Sequence, residues 1–77
     1  MEMEFKDFLI KEYRISEKSA RDYVGRLNGI IARGIYQGEK GITPSMNAAI
    51  KREFPNSKGH YLLTLERFID FQLQKEY

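Results

Sequence analysis

Apolar residues return along this chain at three- and four-residue steps, and nowhere do they alternate with polar ones as a half-buried strand requires. Four stretches carry that rhythm. From about Met3 to Tyr13, Phe5, Phe8, Leu9 and Tyr13 line one side of a short amphipathic helix. From Ser16 to about Arg33, Ala20, Tyr23, Val24, Leu27, Ile30 and Ile31 follow the i, i+3, i+4, i+7 spacing of a helix with a single apolar face. Met46, Ala49, Ile50 and Phe54 predict a shorter third helix that ends before Pro55. Tyr61, Leu62, Leu65, Phe68, Ile69 and Leu73 predict a fourth, from about Lys58 to Lys75. The expected fold is all-α, a compact four-helix body in one domain over 1–77.

The residues between these stretches punctuate them. Arg14-Ile15 leaves room only for a tight corner between the first two helices. Ser16 is a natural N-cap, its hydroxyl able to accept from a first-turn amide, and Glu17 suits the positive end of the helix dipole. Gly34 suits a left-handed C-cap, and the glycine-rich run from Gly34 to Ile42 reads as a loop. Thr43-Pro44 restarts the helix, with proline at the first helical position where its missing amide costs nothing. Pro55 to Gly59 is a turn.

Composition narrows the chemistry. Seventy-seven residues hold one small core. There is no cysteine and one histidine, so neither a disulfide framework nor a thiolate or His-rich metal site is expected, and no cofactor is. No apolar run approaches the roughly 18 residues of a membrane span. Met1 to Glu4 lacks the basic start of a signal peptide, which makes the cytoplasm the expected compartment. The net charge of +2 conceals an asymmetry: between Lys11 and Arg67, eleven Lys and Arg stand against six Asp and Glu. The acidic surplus sits at the ends, chiefly Glu2, Glu4, Asp7, Asp70 and Glu76. A basic middle favours an acidic partner such as nucleic acid.

Enzyme chemistry is not expected. His60 is the only imidazole and no nucleophile motif accompanies it; the loop glycines with Lys40 do not have phosphate-loop spacing. The positive signal is the polar side of two helices. On the second, Lys18, Arg21, Gly25, Gly29 and Arg33 oppose the apolar face. On the fourth, His60, Leu63, Thr64, Arg67, Phe71 and Gln74 do. Cations and free amides near helix N-termini reach phosphates, and Ser, Thr, His or Arg side chains reach base edges. The candidate DNA-binding set is Lys18, Ser19, Arg21, Arg26, Lys58, His60, Thr64 and Arg67, with Ser19, His60 and Thr64 nearest the bases. The same charges also suit the solvated side of any amphipathic helix.

Two further features leave a choice open. Gly25 and Gly29 each cost a helix roughly 1 kcal/mol relative to alanine, so either the first or third helix of the domain packs there, or an outside backbone does, or the helix is simply imperfect at those positions. Leu63 and Phe71 lie off the main apolar stripe; either the first helix covers them or they form a patch for a second protomer or domain. Tyr23 and Tyr61 are expected in the core with their hydroxyls at the surface.

The order of these features resembles the SAM-like core-binding domain of tyrosine recombinases, the phage integrases. The resemblance rests on Phe5-x-x-Phe8-Leu9, on Ile15-Ser16-x-x-Ser19-x-x-x-Tyr23-x-x-x-Leu27, on Ile42-Thr43-Pro44, and on Tyr61-Leu62-x-x-Leu65-x-x-Phe68-Ile69-x-Phe71. Ser19 stands where that family usually has threonine. The resemblance implies a DNA-binding domain that lies across the major groove of double-stranded DNA with its second and fourth helices toward the duplex. Family members continue into a catalytic domain with an Arg, His, Arg set and a tyrosine nucleophile; Tyr36 and Tyr77 match no such motif, so recombinase chemistry does not transfer. The resemblance therefore implies either the arm of a longer recombinase, with a catalytic domain as partner, or a free-standing mobile-element regulator. The rival is a helical protein-interaction or homodimerisation module using Leu63, Phe71 and the Gly25/Gly29 track.

Overall fold

The computed structural model describes residues 2–75, with side chains described from Glu4 onward. Of the acidic ends, the Glu2 side chain and all of Glu76 lie outside the described residues, as does Tyr77. The chain forms four helices: α1 (Glu2–Tyr13), α2 (Glu17–Ala32), α3 (Pro44–Glu53) and α4 (Lys58–Lys75). No strand occurs among the described residues.

The local signals act as the residue chemistry requires. Ser16 caps α2, its hydroxyl accepting from the Ser19 amide at 3.1 Å. At the other end Gly34 takes φ +70°. The Gly34 amide donates to the Ile31 carbonyl at 3.0 Å and the Ile35 amide to the Ile30 carbonyl at 3.2 Å, a Schellman ending that returns Ile35 to the core beside Ile30. Thr43 caps α3 by accepting from the Met46 amide at 3.1 Å, and the Met46 thioether accepts in return from the Thr43 amide. Arg14, in the corner after α1, adopts φ +53° without being glycine.

Two connected clusters form the core. Phe5 and Leu9 of α1 pack with Ala20 and Leu27 of α2 and with Phe68 and Phe71 of α4. Ile30, Ile35, Met46, Ile50, Leu65 and Ile69 form the second, which seats α3 against the other side of α4. Phe5 is fully buried, its ring edge-on to Phe68 at 5.1 Å and tilted against Phe71 at 5.6 Å. Burial of a side chain of that size contributes about 1.5–3 kcal/mol. The α4 helix is thus the shared wall of both clusters.

One open choice is settled here and one expectation changes. Phe71 is only 6% exposed, covered by Phe5 and Phe8 of α1, so it offers no surface to a second protomer or domain. Ile31 is 45% exposed rather than part of the apolar face, because Ile30 takes the core position and the next residue is turned about 100° away.

Candidate nucleic-acid interface

The α2 and α4 helices run antiparallel. Tyr23 meets Arg67, while six residues further along α2 a Cβ at Gly29 would touch Tyr61, six residues back along α4. The Gly29 alternative is thereby decided: the site is a close approach inside the fold, with Phe54 and Tyr61 at 3.8 and 3.9 Å. Gly25 is different, since a Cβ there would meet nothing within 4 Å.

Along the α2–α4 seam lie two stacks of cation and ring. At one end the Arg67 guanidinium sits 4.0 Å from the Tyr13 ring centroid and 5.3 Å from that of Tyr23, and Nη1 donates to the Tyr23 hydroxyl at 2.6 Å. Arg26 approaches the same Tyr23 ring at 5.5 Å. One ring therefore joins a cation from each helix. At the other end Arg33 lies 4.6 Å from the Phe54 centroid, and Phe54 stacks flat on Tyr61 at 3.7 Å and 6°. Arg33 Nη1 also donates to the Gly29 carbonyl at 3.1 Å, and its Nε pairs with Glu53 at 3.4 Å. Arg26 and Arg33 are a heptad apart, so they differ by only about 20° around α2 and stand about 10 Å apart along it. In the sequence Arg33 belongs to the basic face but does not stand out as a site residue. The signal that picks it out is the aromatic at Phe54, which spacing assigns only to the end of α3.

Burial, and secondarily the Asp70 carboxylate to which the Tyr13 hydroxyl donates at 3.4 Å, raises the Tyr13 phenol above its ordinary value of 10.0. The Arg67 cation opposes that shift.

The predicted residues divide by position. Ser19, Arg26 and Arg67 are half-buried at the seam, and His60 is exposed beside Tyr61 at its far end. Thr64 is a correction. It is fully buried and its hydroxyl donates to the His60 carbonyl at 2.8 Å, the usual way a helix-interior threonine satisfies itself, so it reads no base. Lys58 is exposed but lies about 160° around α4 from His60, on another side of the helix. Arg21 is about 140° around α2 from Arg26 and pairs with Glu17 at 3.5 Å, which also holds Lys6 of α1 at 3.3 Å. Lys18 carries no ion pair among the described residues and shares the outward face with Arg21 and Gly25. Antiparallel packing also sets the two helix N-termini at opposite ends: Lys18 lies about 16 Å along α2 from Gly29, which meets Tyr61. The two starts therefore do not converge on one phosphate.

Leu63 remains exposed at 36%. No helix among the described residues is long and apolar enough to cross a membrane. Searches of protein-family models, curated proteins and solved structures return no match to this chain.

Proposed function

We propose that this domain binds double-stranded DNA as a SAM-like core-binding arm of the phage-integrase kind, without catalysing a reaction itself. The observation that carries the reading is the shared Tyr23 ring, which joins Arg26 of α2 to Arg67 of α4, with Arg33 continuing the same stripe. Guanidinium groups held against rings lose less freedom when they meet a phosphate. Ser19 and His60 flank the stripe as the groups nearest the bases, and the likeness of the helix order to integrase core-binding domains supports the same two helices. Lys18, Arg21 and Lys58 add to the basic field that draws DNA in.

Fluorescence anisotropy with a labelled duplex at low salt tests this. Three phosphate contacts give a slope of log affinity against log salt of about −3, and Arg26→Glu with Arg33→Glu brings it to about −1 with a large loss of affinity. The reading fails if the unaltered domain leaves the duplex free at low salt, or if the double variant binds as well as the parent.

A further inference from the structure

The outward faces of α2 and α4 are both uncovered, and their chemistry is complementary. On α2, Lys18, Arg21 and Asp22 are exposed around Gly25. Nothing within the domain lies near a Cβ at Gly25, so internal packing does not account for glycine at a mid-helix position where only proline is less favoured. On α4, exposed Leu63 stands beside Glu66, Arg67 and Asp70, along a groove of about 520 Å³ that Tyr13 and Leu73 complete. Neither Glu66 nor Lys18 has an ion-pair partner among the described residues.

We propose that a second copy of this chain docks head to tail, the outward face of α2 on one copy lying antiparallel on the outward face of α4 on the next, with Leu63 seated over Gly25. The register supplies the argument. In antiparallel helices, steps back from Gly25 meet steps forward from Leu63. Lys18, seven back, meets Asp70, seven forward. Arg21, four back, meets Glu66, three forward; Asp22, three back, meets Arg67, four forward. The sides agree too. Arg21 and Asp22 flank the Gly25 line by about 40° and 60° in opposite senses, and Glu66 and Arg67 flank the Leu63 line by the same angles. Face-to-face antiparallel docking brings Arg21 over Glu66 and Lys18 level with Asp70, while Asp22 falls on the side of Arg67, whose guanidinium is held by Tyr13 and Tyr23. Parallel docking sets Glu66 against Asn28 and Arg21 against Gly59, and leaves both unpaired. Because the two faces differ, the contact leaves one of each free and adds copies in series.

Sedimentation velocity without DNA, at low salt and rising protein concentration, tests the contact separately from DNA binding. The weight-average coefficient is expected to climb past that of a dimer, and to fall back as salt screens the pairs. Gly25→Leu, which fills the notch with a better helix former, is expected to stay monomeric with its helix content retained by circular dichroism. Arg21→Glu weakens association by about tenfold, and Arg21→Glu with Glu66→Arg restores it. A monomer at all concentrations, a closed dimer, association of Gly25→Leu equal to the parent, or no recovery in the double variant each overturns the proposal.

Discussion

Arg67 illustrates how a single side chain can look free in a sequence and be held in the fold. Its position on the polar side of α4 is as read from the spacing, yet Tyr13 and Tyr23 enclose it and the Tyr23 hydroxyl accepts from its Nη1 at 2.6 Å. Tyr13 in turn has a consequence for pH. A phenol raised in the folded state contributes stability that is intact below its unfolded value near 10 and is lost as pH climbs through the raised folded value. Denaturant melts taken from pH 9 to 11 are therefore expected to show stability falling, with the fall shallower in Tyr13→Phe. An equal slope in both proteins removes Tyr13 from the account. Thr64 shows the opposite difficulty for sequence reading: its hydroxyl signals a polar position, but a threonine that bonds to the carbonyl four residues back is as acceptable inside as out.

At the scale of elements, most of the architecture is legible in the sequence. All four helices, the Ser16 and Thr43 caps, the Gly34 ending and the Pro55 turn follow from side-chain chemistry acting within a few residues. The illegible part depends on how helices meet. The choice between a covered and a free Phe71, the exposure of Ile31 and the stack of Arg33 on Phe54 depend on how α1, α2 and the end of α3 meet their neighbours, which spacing within one helix does not encode. The corner after α1 is a further case. Its shortness is readable, but the left-handed conformation at Arg14 is not. A non-glycine residue there carries a strain of about 1–2 kcal/mol, partly offset by the smaller chain entropy of arginine over glycine when unfolded. Arg14→Gly is thus expected to stabilise the domain by roughly 0.5–1 kcal/mol, measured by the urea midpoint at unchanged m-value. A loss of stability places the corner's preference elsewhere than in φ.

For the molecule as a whole, stability is concentrated in few contacts. A body of 31 × 28 × 18 Å has room for one layer of buried side chains, and Phe5 touches both Phe68 and Phe71 at its centre. Phe→Ala in such a place costs about 3–5 kcal/mol, comparable to all that a core of this size supplies. Phe5→Ala is expected to lose its cooperative thermal transition by circular dichroism, whereas a sharp transition near the parent's would show that the Phe5 ring is not what holds the cluster together. The longest dimension also bears on DNA: at 31 Å one copy covers less than the roughly 34 Å of a duplex turn.

The pairing of the first helix with the last, through Phe5 on Phe68 and Phe71 and Lys75 on Glu4 at 2.9 Å, governs what happens during synthesis. The apolar side of α1 leaves the ribosome before the surface that shields it exists. At roughly 5–20 residues per second, it waits several seconds for α4 to emerge, and the nascent chain closes its first cluster only once that helix is available.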